Sequence, residues 1–326
     1  MTVRWGICGT GRIATKMVGQ LAQIGDAEVV AVASRTSGRA QHFADRHGID
    51  RAHGSYAALA GDNEIDVVYV ATTQEGHHDT VVCLLRAGHN VLCEKPLAMT
   101  EAQVVSMTDV ARLEGRFLME AMWARFSDAW VLARELVRQG RIGDAVQLRA
   151  DLSVNIAAEA RATHRLWDPA RGGGALMDVG IYPINLSAFL FGEPDRVDAA
   201  GVLAEPGLDR RVTALLDHPG GEVSVLTAAL DLDGGADARI SGTEGSITLQ
   251  ARMHASPGLV VESGGEVRAI DLDLPGLGIQ IPEVHRCLAE GLLESPVMSW
   301  DESAAVHRTA DRIRDRIGLR FPADES

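Results

Sequence analysis

The chain has 326 residues, 46% hydrophobic and 23% charged, an ordinary globular balance with length enough for about two domains. Its formal net charge of −14 argues against nucleic acid or an anionic membrane surface as the main partner. No apolar run approaches the ~20 residues of a membrane span, and the opening MTVRWGICGTGR reaches a glycine turn too soon for a secretory leader, so a cytoplasmic location is expected.

The first 123 residues alternate between two kinds of segment. Apolar runs over 3–8, 29–33, 65–71, 91–93 and 117–122 read as strands. Helical periodicity over 12–24, 36–47, 77–87 and 100–114 separates them. Strands without in/out alternation, spaced by helices, indicate a parallel sheet covered on both faces. Residues 1–123 are therefore expected to form a doubly wound α/β, dinucleotide-binding domain.

The rhythm changes after Trp123. A helix is expected over 127–139, stopped by Gly140. Strand-like runs follow over 146–154, 197–203, 212–216, 223–230, 238–240, 246–249 and 267–272, most of them separated by turn signals such as HPGG, DGG, GTEG and ESGG. A glycine-led helix over 174–191 interrupts them, and helices over 282–293 and 303–317 close the chain. Residues 124–326 thus predict an α+β substrate-binding and oligomerisation domain around a large, mostly antiparallel sheet. Arg308, Arg312, Arg314 and Arg316 on the last helix read as a solvated face.

Cys8, Cys83, Cys93 and Cys287 include no C-x-x-C pair, so reduced, buried thiols are expected. His77-His78-Asp79 is the nearest approach to a metal set, but adjacent histidines do not share a helix face, and no metal is expected.

Gly9-Thr10-Gly11-Arg12-Ile13-Ala14 fits G-x-G-x-x-A between the first strand and the first helix, the setting a dinucleotide turn requires. Gly9 permits the tight turn, Gly11 lets the backbone approach a pyrophosphate, and Ala14 lets the helix pack on the sheet. An enzyme preferring NAD usually places Asp or Glu after the second strand, to accept from the ribose 2′-OH. This strand ends in Ser34-Arg35-Thr36, and a guanidinium there suits a 2′-phosphate, so NADP is the expected cofactor. Ligands of such sheets lie beyond the carboxyl ends of the strands. Thr72, Thr73, Glu94, Lys95 and the Gly9–Arg12 turn share that edge, and His78 is a candidate there. Pro96 restricts Lys95 to extended conformations, which stiffens its approach to the nicotinamide half of a bound dinucleotide.

VRWGICGTGRIA, ATTQEGHHDTVVCLLRAGHNVLCEKPLAMT and GGGALMDVGIYPINL together resemble the Gfo/Idh/MocA oxidoreductase family. The finer likeness is to its dimeric dihydrodiol dehydrogenase and NADP-dependent D-xylose dehydrogenase branch. Glu120-Ala121-Met122-Trp123-Ala124-Arg125-Phe126 looks like that branch's E-A-M-W-x-R-F stretch, although Ser127-Asp128-Ala129 stands where a proline usually follows closely. The likeness runs from about Val3 to Pro322 and is strongest up to Tyr182. It implies oxidation of a secondary alcohol of a small sugar, polyol or cyclic diol, or the reverse reduction. It implies that Lys95 lies by nicotinamide and substrate, and that Asp178 and Tyr182 line the substrate pocket. Trp123 and Arg125 are implied near cofactor and substrate, while Arg165 and Trp167, just before the triple glycine, are candidates to reach over the pocket.

The chemistry is coherent in its own terms. Asp178 and Tyr182 are four apart, so both project from one helix face. Loss of hydride from an alcohol requires a base for the hydroxyl proton. Tyrosine is a poor base at its ordinary pKa of ~10, and an adjacent Lys95 ammonium favours the phenolate. Two other readings stay open: an NAD-dependent glycoside hydrolase of the same family, and a non-catalytic regulator that senses dinucleotide. Net NADPH formation from a candidate sugar separates the first reading from both. Alternate apolar positions such as Val223, Val225 and Thr227 leave one face of the second sheet without helical cover. A homodimer or homotetramer through that sheet is expected, which sedimentation tests.

Overall fold

The computed structural model describes residues 2–205, 207–321 and 324. The chain divides into two compact units, each described here by itself. The first comprises Met1–Ala98, Ala102–Trp123 and Gly276–Ser303, and the second Met99–Glu101, Ala124–Pro275 and Ala304–Ser326.

In the first unit, strands β1 (Val3–Cys8), β2 (Ala27–Ala33), β3 (Arg51–His53), β4 (Val67–Val70), β5 (Asn90–Glu94) and β6 (Leu118–Ala121) form one parallel sheet in the order β3-β2-β1-β4-β5-β6. Every residue of β4 and β6 is buried, which is why neither shows alternation in sequence. Helices α1 (Arg12–Leu21), α2 (Ser37–His47), α3 (Tyr56–Ala60), α4 (His77–Arg86) and α5 (Glu101–Glu114) connect the strands. On α1, Ala14, Met17, Val18 and Leu21 are buried at the 3–4 residue spacing of one helix face. The order of strands reverses between β1 and β4, so the turn after β1 lies at the topological switch point.

Residues 276–303, expected with the second domain, cluster instead with this first unit. The helix Ile281–Glu290 brings His285 Nε2 to within 3.2 Å of the buried Trp5 Nε1–H. Beyond it, Leu293 accepts from the Leu118 N–H at 3.0 Å, and the Trp300 indole donates to Leu118 O at 2.9 Å. The segment thus satisfies an edge of the sheet that would otherwise be open.

The second unit holds α6 (Asp128–Arg138), α7 (Ile181–Phe191) and strands β7 (Ala145–Ser153), β8 (Arg196–Glu205), β9 (Leu208–Asp217), β10 (Val223–Ala229), β11 (Ala238–Gly242), β12 (Gly245–Leu249), β13 (Gly258–Ser263) and β14 (Glu266–Asp271). They pair in the order β14-β13-β12-β11-β7-β10-β9-β8. Only β7 and β10 run parallel; the other pairs are antiparallel. One face buries Leu148, Ala214, Leu216, Leu226, Ile240 and Ile247. The alternate positions, including Leu215 at 38% exposure, face outward. Ser127 caps α6 by accepting from the Trp130 N–H, so it performs locally the helix start that the missing proline would have pre-set.

Three further expectations change. The stretch Pro169–Phe191 is, by length and composition, long and apolar enough to cross a membrane. However, 83% of its most apolar 18 residues is buried inside the protein, as in a core helix. The arginines of the last helix are not a plain solvated face: Arg308 pairs with Glu101 and Glu193 at 2.8 and 2.6 Å, and Arg312 donates to Pro194 O at 2.7 Å. Arg314, 5% exposed, lies between Asp311 and Asp324. The four cysteines are free, but Cys83 is exposed.

Candidate active site

In the first unit the glycine turn closes on the neighbouring strand. Gly9 has φ +112°, and a Cβ there would stand 2.6 Å from Ala71 O, so both its conformation and its packing require glycine. The Gly9 N–H donates to Ala33 O and the Ala71 N–H to Cys8 O, at 2.9 and 2.8 Å, which ties the ends of β1, β2 and β4 together. Gly11, in contrast, has open space where its Cβ would point, on the residue that caps α1. Ala14 is fully buried. An open cradle at a helix N-terminus, with the helix packed closely behind it, fits the pyrophosphate of a dinucleotide. Arg12 is exposed and Ile13 half-buried beside it.

Thr10 and Ser34 approach through their hydroxyls at 3.4 Å, joining the glycine turn to the end of β2. Ser34 is buried, whereas Arg35 is exposed and α2 has no acid in its first turn. Arg35 and Arg39 both draw the Tyr56 hydroxyl downward, although burial is the larger influence and raises it overall. Thr72 and Thr73 are half-buried after β4, where Thr73 Oγ1 donates to Glu75 at 2.5 Å.

The Glu94-Lys95-Pro96 turn is held from several sides within its own unit. The Tyr69 hydroxyl donates to Glu94, which is 6% exposed. The Leu97 N–H donates to Glu120 Oε1 at 3.2 Å. The Lys95–Pro96 bond is cis, and Lys95 is half-buried. The histidine that touches this turn is His77. His77 Nδ1 lies 2.9 Å from Pro96 O, and Nε2 lies 3.4 Å from Thr72 O. His78 is directed instead to Asp79 and to Ser106 on α5, at 2.9 and 3.1 Å. Trp123, 8% exposed, follows β6 on the same carboxyl edge.

Burial pushes the His77 pKa down to about 4, against the pull of the carbonyls it meets and with a minor contribution from the Lys95 charge. It is therefore neutral at pH 7 and donates from Nδ1 to Pro96 O. Unfolding returns it to the ordinary value of ~6.5. The stability this group contributes is complete above that value and is lost as the pH falls towards about 4. Between pH 7 and 4.5 the native protein should lose ~2–3 kcal/mol more unfolding free energy than His77→Asn does. Denaturant titrations at the two pH values measure this, and equal losses would mean that the imidazole titrates in the folded state as it does in the unfolded one.

In the second unit, a π-helical turn, Leu176–Gly180, runs directly into α7. Such turns are concentrated at functional sites, because the i→i+5 spacing re-aims side chains. It carries Asp178, 8% exposed, and α7 carries Tyr182, 7% exposed. The Arg165 guanidinium donates to Asp178 Oδ1 at 2.9 Å, so this arginine fixes the orientation of the Asp178 carboxylate. Trp167, half-buried, lies under the Arg161 guanidinium at 4.6 Å. Arg165 and Trp167 both line an open pocket of about 350 Å³ together with His164 and Asp168. The Tyr182 ring packs on His254 with centroids 4.7 Å apart.

Arg125, expected at the cofactor, is fully buried against α7. Its Nε donates to Asn185 Oδ1 at 2.5 Å, and its guanidinium lies 5.2 Å from the Phe189 ring. Within this unit it is a brace for the helix that bears Tyr182. The supporting contacts of His77, Tyr69 and Glu120 around the lysine turn, and of Asp209 behind the π-helical turn, have no local signal in the sequence. Asp209 accepts from the Leu176 N–H at 2.8 Å, 33 residues away in sequence.

Residues 3–122 match the oxidoreductase family with an NAD-binding Rossmann fold, and residues 130–248 match the GFO/IDH/MocA C-terminal domain. The chain belongs to the Gfo/Idh/MocA oxidoreductase family. It is 36% identical over 338 residues to trans-1,2-dihydrobenzene-1,2-diol dehydrogenase of Xenopus laevis, covering 99% of this chain and all of the relative. The mouse protein of the same name is 37% identical over 341 residues, covering the whole of both. Among solved structures, KijD10, a 3-ketoreductase from Actinomadura kijaniata in complex with NADP and TDP-benzene, superposes with a TM-score of 0.88 at 24% identity, covering 97% of this chain and 98% of that one. The aldose–aldose oxidoreductase of Caulobacter crescentus, complexed with glycerol, gives 0.87 at 24% identity, covering 97% of each chain. This family member is an oxidoreductase with a nucleotide-binding parallel sheet and a second, mostly antiparallel one.

Proposed function

We propose that the chain is an NADP-preferring dehydrogenase acting on a secondary alcohol of a small sugar, polyol or cyclic diol, or catalysing the reverse reduction. The observation that carries the cofactor assignment is the carboxyl edge of the first sheet. There an open glycine cradle at Gly11 is followed, after β2, by exposed Arg35 and no acid. The full-length likeness to dihydrodiol dehydrogenases supports the substrate class.

Gly9, Gly11 and the start of α1 would hold the pyrophosphate, Ser34 and Arg35 the adenosine end, and Thr72, Glu94 and Lys95 the nicotinamide end. The cofactor, when bound, supplies the acceptor or donor of hydride. The protein supplies positioning and proton management. Tyr182 Oη takes the hydroxyl proton in the oxidising direction and returns it in the reducing one. Asp178, fixed by Arg165, accepts a hydrogen bond from a substrate hydroxyl and so orients the alcohol. Lys95 contributes positive charge at the nicotinamide end.

A spectrophotometric screen tests this directly. Sugars, inositols, 1,5-anhydro sugars and trans-dihydrodiols are incubated with NADP and, separately, NAD, while absorbance of the reduced ring is followed. NADPH formation with at least one class is the expected result. Glycoside cleavage without net reduction would assign a hydrolase instead, and dinucleotide binding without any turnover would assign a sensor.

A further inference from the structure

Asp209 has no role in the chemistry described above, yet its position is unusual. It lies at the start of β9, is fully buried, and directs Oδ2 to the Leu176 N–H at 2.8 Å. That N–H is the first of the π-helical turn Leu176–Gly180, one of the terminal donors that a helix cannot satisfy internally. The other carboxylate oxygen lies against Gly174. A Cβ on Gly174 would overlap Asp209 Oδ1, and Gly174 has φ +126°, so glycine is required there for two reasons. Gly174, the last of the triple glycine, thus admits a carboxylate to the helix start.

A carboxylate is a costly choice for this task. Asparagine, serine or threonine caps a helix without removing a charge from water. Burial dominates over the pull of the Leu176, Asp209 and Ala175 N–H groups and raises the carboxyl pKa to about 6. Local rules are broken in this way mostly where geometry matters more than stability. Asp178 comes two residues after Leu176, and Tyr182 six after. The bond that fixes Leu176 therefore sets where the turn begins, and with it the placement of both side chains.

We infer that Asp209 is the positioning residue of the candidate active site, holding the π-helical turn so that Asp178 and Tyr182 are presented in register. This rests on the dehydrogenase reading above. The test compares the full-length wild type with Asp209→Ala, Asp209→Asn and Gly174→Ala. Asp209→Ala should lower kcat on the order of 10–100-fold, the typical cost of a small misplacement. KM for the alcohol should change far less, and NADPH affinity, measured by fluorescence titration, should stay within about twofold, because the residues that bind the cofactor are elsewhere. Amide hydrogen exchange at 176–180 should accelerate selectively, with β9 and the second half of α7 still protected. Asp209→Asn keeps an acceptor oxygen and should recover most of kcat and of the protection. Gly174→Ala displaces the carboxylate from the other side and should reproduce the loss, which keeps the test usable if Asp209→Ala fails to fold. Turnover within twofold of wild type together with unchanged exchange at Leu176 would overturn the inference. If the wild type oxidises no alcohol, the dehydrogenase reading fails, but the exchange data still decide whether Asp209 holds the turn.

Discussion

Tyr182→Phe should lower kcat on the order of 10²–10⁴-fold, the range contributed by a positioned acid–base group. Cofactor affinity and thermal midpoint should stay close to wild type. The separation is possible because of how the ring is held. Tyr182 is 7% exposed and packs against the His254 ring at 4.7 Å, a contact that phenylalanine reproduces. Its helix is supported independently, by Asn185 receiving Arg125 and by Leu176 donating to Asp209. Only the hydroxyl oxygen proposed to carry the proton is removed. Steady-state kinetics with saturating NADP give kcat and KM, and NADPH fluorescence titration gives the affinity. A loss confined to kcat assigns the hydroxyl to the transition state. Near-native kcat would end the proposed role of Tyr182 as the base. Lys95→Ala provides the parallel test in the first unit, where the lysine turn is held by Tyr69, His77 and Glu120 and should survive the truncation.

The parts of this protein that could be read in its sequence share one property: their signal is local. The strands of the first sheet are apolar without alternation because both faces are covered, and G-x-G-x-x-A sits between a strand and a helix as the motif demands. Short or polar edge elements left no such mark. The three residues of β3 are all half-buried, and Arg51 and His53 both pair with Asp62, so the segment looks like a loop. In β13, ahead of the ESGG turn, GLVVES is short and opens with glycine, so it gives little strand signal. Of two adjacent histidines, periodicity cannot say which faces inward until the phase of α4 is known; the fold turns His77 inward. The contact of Arg125 with Asn185 on α7, made from the 3₁₀ turn Trp123–Phe126, joins residues 60 apart and leaves no local mark either. The bond from Leu176 to Asp209 joins residues far apart in sequence, and no spacing rule reveals it.

Arg35→Asp should invert the coenzyme preference, with the ratio of kcat/KM for NADP over NAD falling by ~10²–10⁴. Two effects add. Charge-assisted hydrogen bonds to a phosphate are worth ~1.5–3 kcal/mol each, or roughly one to two orders of magnitude in affinity for NADP. A carboxylate in the same place repels the 2′-phosphate and accepts from a 2′-OH, which favours NAD by a comparable factor. The structure makes this site suitable for such an exchange. Ser34, just before it, is buried and approaches Thr10 at 3.4 Å, so the backbone there is tied to the glycine turn. Arg35 itself is exposed, and replacing it should shift stability by less than ~0.5 kcal/mol. Arg39, one helical turn further on and also exposed, keeps part of the positive potential and sets the lower limit of the inversion. Kinetics of the wild type and the variant with both coenzymes, at one ionic strength because the effect is screened by salt, measure the ratio. A wild type that prefers NAD, or a variant with an unchanged ratio, would remove Arg35 from the coenzyme site.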